Sequence, residues 1–170
     1  MQSNFEHSLD LVLKSEGGFV DNPKDPGGIT NLGVTAGTWA AYKGRTTTRK
    51  EMMALTPEDV TPLYEKKYWD ACNCDDLPSG IDYLTFDFAV NAGPGRSIKT
   101  LQKAIGVPAD GAIGPVTINT IEIMDKADLI VKFSEAKKQF YESLPTFPTF
   151  GKGWLKRIDE ARVNASEMLG

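Results

Sequence analysis

Three side chains within residues 15–35, SEGGFVDNPKDPGGITNLGVT, have the chemistry to cleave a bond by proton transfer: Glu16, Asp25 and Thr30. Glu16 falls four residues after Val12 and continues the apolar stripe of Phe5, Leu9, Val12 and Leu13, directly before Gly17-Gly18. Desolvation on such a stripe disfavours charge on a carboxyl group, and so does the negative end of a helix dipole. An ordinary helix end would carry lysine. A carboxylic acid that keeps its proton can protonate the leaving oxygen of a glycosidic bond. That reaction usually needs a second carboxylate, to stabilise positive charge on the sugar or to activate water, and Asp21 and Asp25 are the candidates. The Thr30 hydroxyl can hold the water. The same residues also admit a plainer reading, with Glu16 as a solvated helix end, DPGG as a turn, and Asn22 and Asn31 in Asx-turns.

The elements that must position these groups follow from periodicity and turn chemistry. Residues 3–16 form an amphipathic helix stopped by Gly17-Gly18. Thr35 caps a short helix through Trp39 and Tyr42, and Thr48-Arg-Lys-Glu51 has the form of a capping box. Thr56-Pro57-Glu58-Asp59 opens a helix with proline at its first position, running toward Tyr68 and Trp69 and ending near the turn at 72–78. The segment GIDYLTFDFAVNAGPG, residues 80–95, is apolar on almost every side and predicts a buried central helix. Further helices are expected over 96–105, 115–124, 128–144 and 153–168. The fold class is therefore mainly α. The long irregular stretch at 17–34, with a small β-hairpin around Gly27-Gly28, is of the kind that carries function.

Composition removes other classes. With 170 residues, 41% of them hydrophobic, the chain can close a core without staples. Its two cysteines, Cys72 and Cys74, are separated by one residue, an awkward geometry for a mutual disulfide. A zinc site would need further ligands, and the one histidine, His7, lies far upstream, so no metal or other cofactor is expected. A net charge of −4, with both signs interleaved, gives no footprint of a nucleic-acid binder. The N-terminus, with Glu6 and Asp10 and no basic region before an apolar run, does not have the form of a secretory signal, and no run approaches membrane-spanning length.

The blocks EGGF, DPGGITNLGVT, YEKKYWDAC, LPSGIDYLTFDFAVNAGPG and FGKGWLKR, in this order and spanning almost the whole chain, resemble the phage N-acetylmuramidase family, glycoside hydrolase family 108. The resemblance implies a lysozyme-like helical fold. It also implies cleavage of the β-1,4 bond between N-acetylmuramic acid and N-acetylglucosamine in peptidoglycan, with Glu16 as the catalytic acid. Glu16 and Asp25 keep the spacing of the wider phage-lysozyme signature, but the interval from Asp25 to Thr30 is four residues, one shorter than in that signature. If Asp25 only organises the DPGG turn, a single carboxylate would serve, as in goose-type lysozymes.

Tyr68, Trp69, Asp87 and Asn91 are candidates for a saccharide cleft, because aromatic faces stack on sugars and amides read N-acetyl groups; each is equally readable as core. Residues 101–121, with Asp110-Gly111 and Gly114-Pro115 as turn residues, are similar to small peptidoglycan-binding modules. Two regions follow, 1–93 catalytic and 94–170 resembling a wall-binding segment, packed into one globule. The implied protein is a monomeric phage endolysin acting on peptidoglycan glycan strands. It binds no nucleic acid, inserts in no membrane, is made in the host cytoplasm, and reaches the wall through a holin lesion. The alternatives are a non-catalytic wall-binding module and a wall-editing muramidase that activates bacterial secretion.

Overall fold

A computed structural model describes residues 2–22 and 28–170, with side chains from Asn4 onward. The protein is mainly helical, with one small antiparallel sheet, and divides into two compact units, Leu9–Lys67 and Met1–Ser8 together with Tyr68–Gly170. No helix among the described residues is long and apolar enough to cross a membrane.

In the unit Leu9–Lys67, helix α1 (Gln2–Glu16) delivers buried Leu9 and Val12 to the core and ends on Glu16. Strands β1 (Val20–Asp21), β2 (Ile29–Asn31) and β3 (Val34–Thr35) pair in chain order, with Val20 opposite Thr30 and Thr30 opposite Thr35. The expected hairpin is thus the first half of a three-stranded sheet. Three short helices follow, α2 (Ala36–Lys43), α3 (Arg49–Met53) and α4 (Pro57–Tyr64), and each starts on a threonine. Thr35 Oγ1 accepts from Thr38 N at 3.1 Å, which satisfies one of the amides a helix start leaves open. At α4 the box is reciprocal: Asp59 N donates to Thr56 Oγ1 at 3.3 Å, and Thr56 N donates to Asp59 Oδ2 at 2.9 Å.

At α3 only half of the expected box forms. Thr48 Oγ1 accepts from Glu51 N at 3.1 Å, but the Glu51 carboxylate is taken by Arg45, at 2.7 and 3.0 Å, and by Thr47 Oγ1 and Trp39 Nε1. A charged guanidinium outcompetes a backbone amide for that carboxylate. Trp39, Met52, Val60, Leu63 and Tyr64 complete the core of this unit. Helix α4 contains Pro62 and continues as a π-helical turn over Glu65–Asp70, a widening the periodicity did not signal.

In the second unit, helix α5 (Ile81–Ala92) is buried on all sides from Ile81 to Ala89, as its all-round apolarity predicted. Helices α6 (Pro94–Ile105), α8 (Lys126–Glu142) and α9 (Phe147–Glu167) pack on it. Helix α7 (Pro115–Ile123) packs on α6. Gly80, at φ +89°, lets the start of α5 close on α9, since a Cβ there would stand 2.8 Å from Ala165 O. The buried polar groups of α5 find partners: Asn4 Nδ2 and Gly80 N donate to Asp82, and Thr85 donates to Ile81 O. The Asp110-Gly111 turn hangs on buried Gln102, whose Nε2 donates to Asp110 Oδ1 at 2.8 Å while its Oε1 accepts from Gly111 N at 3.0 Å. Cys72 and Cys74 are buried free thiols.

Candidate active site

Glu16 is placed by the last turn of α1, where the buried contacts of Leu9 and Val12 fix the helix roll. Its side chain is half-buried, and Oε1 is shut off from solvent. The wall against it is the β2–β3 turn. With Asn31 opposite Val34, the turn contains only Leu32 and Gly33, at φ +52° and +76°, the backbone signs of a type I′ hairpin. Glycine is required at the second position for a further reason. A Cβ on Gly33 would lie 2.5 Å from Tyr64 Oη and 2.9 Å from Glu16 Cγ, so the bare backbone is what lets the turn reach both side chains.

Leucine at positive φ is costly and needs support from its surroundings. Tyr64 supplies it, with Oη donating to Leu32 O at 2.7 Å. Asn31 anchors the strand, donating through Nδ2 to Met52 O at 2.8 Å. Thr30, half-buried at the centre of β2, must point to the face opposite Asn31 because strand side chains alternate. Asp21 is held by Arg49, Nε to Oδ2 at 3.0 Å, and the Arg49 guanidinium also lies 5.3 Å from the centre of the Phe19 ring. Asp25 lies outside the described residues. The same unit carries a groove of about 630 Å³ walled by Gly37, Ala41, Tyr42 and Leu63, with Lys66 and Lys67 at its rim. Leu63 faces this groove from the helix that sends Tyr64 to the hairpin turn.

The four cleft candidates belong to the second unit, where Asp87 and Asn91 line one cavity of about 380 Å³ and Trp69 is closed to sugar stacking. Trp69 is 1% exposed, its ring 5.4 Å from Phe5 and 5.5 Å from Phe86 and its Nε1 donating to Asp75 Oδ1, so neither face is open to stack on a saccharide. Asp87 is a buried counter-ion, with Oδ2 3.3 Å from Lys137 Nζ and Oδ1 3.2 Å from Arg157 Nη2. A buried carboxylate is tolerated where cations compensate it, as Lys137 and Arg157 do here. Tyr68 is half-buried in the π-helical turn, and Asn91 is exposed at the end of α5.

Residue-level reading missed Tyr64, the Leu32-Gly33 turn, Arg49, Lys137 and Arg157. Only the turn left a local signal, a Gly two residues after Asn31 between two short β-branched runs.

The mainly helical fold thus ends its first helix on a half-buried glutamate set against a glycine hairpin. The family model "Glycosyl hydrolase 108" matches residues 9–93, and "Predicted Peptidoglycan domain" matches residues 96–159. The chain belongs to glycoside hydrolase family 108 and is a peptidoglycan hydrolase of the muramidase type. It is similar to the solved structure titled "Structure of Brucella abortus SagA", at 40% identity and a TM-score of 0.88, over 99% of this chain and 97% of that one. No curated protein matches the chain. The boundary between the two family matches falls at 93–96, whereas the compact units divide at 8–9 and 67–68.

Proposed function

We propose that the protein cleaves the β-1,4 bond between N-acetylmuramic acid and N-acetylglucosamine, with Glu16 donating the proton to the leaving oxygen. The observation that carries this is the seat of Glu16: a helix-end carboxyl group with one oxygen out of solvent, backed by Gly33 and Tyr64. An acid in that position keeps a fixed direction toward a bound glycan, which is what proton transfer in the transition state requires. Asp21 is engaged by Arg49, so Asp25 is the second carboxylate in this reading, and Thr30 orients the attacking water. Glu16→Gln keeps the shape and removes the proton, and turnover of purified peptidoglycan should fall about 10²- to 10⁴-fold. Full activity in that variant would sink the assignment. Mass analysis of products decides the reaction type: a reducing end at muramic acid supports hydrolysis, and 1,6-anhydromuramic ends would replace it with lytic transglycosylation.

In this proposal the enzyme is a monomeric phage endolysin that meets the wall after release through a holin lesion. A second reading, local wall editing that activates bacterial secretion, draws support from the similar structure being that of a Brucella abortus protein. A holin gene beside this one favours lysis, and a secretion locus favours editing.

A further inference from the structure

A groove of about 550 Å³ runs between α6 and α8 in the second unit. Helix α6 lines it with Arg96, Thr100, Lys103 and Ala104, residues spaced for one helix face, and α8 lines it from Lys132 to Ser143. Three cations, Arg96, Lys103 and Lys132, share this groove with one carboxylate, Glu135, and all four are exposed. Among the described residues none of the four is in an ion pair with another group of the protein. On a chain of net charge −4 this is a local excess of positive charge that the overall composition hides.

The order of the charges is more specific than their sum. The Arg96 guanidinium lies 4.8 Å over the Phe140 ring, which holds that cation at one end of the groove. At about 1.5 Å per residue, Lys103 stands about 10 Å from Arg96 along α6, and Lys132 stands about 12 Å from Phe140 along α8. Both ammonium groups therefore belong to the far end. Glu135 falls between the ends, about 5 Å from Lys132 and about 8 Å from Phe140 along α8. The groove thus presents cation, carboxylate and cation in sequence.

A peptidoglycan stem peptide carries the inverse sequence. Its γ-linked glutamate leaves an α-carboxylate free, its third residue is a diamino acid with a side-chain amine, and its last residue ends in a carboxylate. Three extended residues put at most about 10 Å between the two carboxylates, close to the spacing of the cations. A polyol phosphate chain offers anions with no amine between them.

We propose that the α6–α8 groove binds the peptidoglycan stem peptide, with Arg96 on one carboxylate, Lys103 and Lys132 on the other, and Glu135 on the amine. The inference rests on the peptidoglycan reading, since every lining residue falls in the stretch 96–159 matched as a peptidoglycan domain, and it names the part of the polymer held there. Arginine suits its place because its planar fork meets a carboxylate through two parallel hydrogen bonds.

The test titrates the full chain with Nα-acetyl-L-alanyl-γ-D-glutamyl-L-lysyl-D-alanine by calorimetry and amide-shift mapping. Its comparison ligands are the same peptide with the lysyl amine acetylated, the same peptide with both carboxyl groups amidated, and poly(glycerol phosphate). The parent peptide should bind and shift Thr100, Ala104 and Ala136. Acetylation should weaken it about threefold and amidation about tenfold, the scale of one and of several exposed ion pairs. Arg96→Gln should cost about threefold or more, and Lys132→Gln, also at an exposed position, serves if that variant loses its fold. Glu135→Gln should erase the effect of acetylation and keep that of amidation, a pattern that a general loss of structure does not produce. Equal binding of the acetylated or the amidated peptide, an acetylation effect that survives in Glu135→Gln, or undiminished affinity in a folded Arg96 or Lys132 variant would each overturn the proposal. So would shifts confined to other residues, or tighter binding of poly(glycerol phosphate). A wild-type chain that digests peptidoglycan but ignores the peptide overturns it and leaves the muramidase reading intact. A chain that binds the peptide as described but releases no muramic acid reducing ends keeps the groove and overturns the bond assignment alone.

Discussion

Gly33→Ala should injure stability and, with Glu16 as the proposed proton donor, catalysis as well, because one added methyl group enters the space shared by the hairpin turn, Tyr64 and Glu16. Two costs can be separated. Alanine at φ +76° carries the left-handed penalty, about 1–2 kcal/mol. Its Cβ, 2.5 Å from Tyr64 Oη and 2.9 Å from Glu16 Cγ, must displace both side chains, an overpacking cost of about 1–3 kcal/mol. The sum, about 2–5 kcal/mol, corresponds to roughly 4–20 °C in melting temperature for a chain of this size. Moving the proton donor by a fraction of an ångström should lower peptidoglycan turnover about ten- to a hundredfold.

Tyr64→Phe isolates the nearer clash. Alone it removes the hydrogen bond to Leu32 O and costs about 0.5–1.5 kcal/mol. In the double variant the closest atom is gone, so the losses should fall short of additivity by at least about 0.5 kcal/mol. Thermal unfolding followed by circular dichroism, with turbidity loss of purified walls measured on the same samples, completes the cycle. A Gly33→Ala protein within 0.5 kcal/mol of wild type by that measure and fully active, or a strictly additive cycle, refutes the claim that this turn positions Glu16.

The buried ion cluster and the surface carboxylate give three further expectations. Asp87→Ala removes the carboxylate that faces buried Lys137 and should cost about 3–5 kcal/mol in urea unfolding, whereas a loss below 1 kcal/mol would mean the cluster is compensated otherwise. Lys137 titrates below its ordinary 10.5, chiefly through burial, so the unfolded chain binds its proton more readily than the folded one. The stability tied to this group is therefore fullest above 10.5 and falls as pH drops through the folded value. Stability measured from pH 8 to 10.5 should climb more steeply in wild type than in Lys137→Met, and parallel curves would contradict the assignment. Glu51 is held down to about 2 from 4.5, first by its hydrogen bond from Arg45, so its contribution is complete above pH 4.5 and disappears as pH falls toward 2. Glu51→Gln should flatten that acid limb in a pH titration of unfolding, and an unchanged slope would remove Glu51 as its source.

What could be read from the chain alone divides by how far each interaction reaches. The helix starts at Thr35 and Thr56 were legible because the capping oxygen and the amide it serves lie three residues apart. Helix α5 was legible because burial on every side leaves no polar stripe to interpret. The half-buried, helix-end position of Glu16 was legible because an apolar repeat ran into Gly17-Gly18.

The features that failed to show are completed by distant partners. Asp87 looked like a polar residue at a cleft, and its counter-ions come from 50 and 70 residues downstream. Leu32 sits at a backbone angle that leucine avoids, and the hydroxyl that steadies it belongs to a residue 32 positions on. Strands of two or three residues are too short to show alternation, and the π-helical turn at Glu65–Asp70 has no periodic mark at all. The proposed proton donor is therefore written in a local motif, while the contacts that fix its surroundings are written across the chain. Changes at Gly33 or Tyr64 should accordingly appear in both melting temperature and turnover, whereas Glu16→Gln should appear in turnover alone. A Glu16→Gln protein that melts several degrees below wild type would show instead that the acid is itself part of what holds the hairpin.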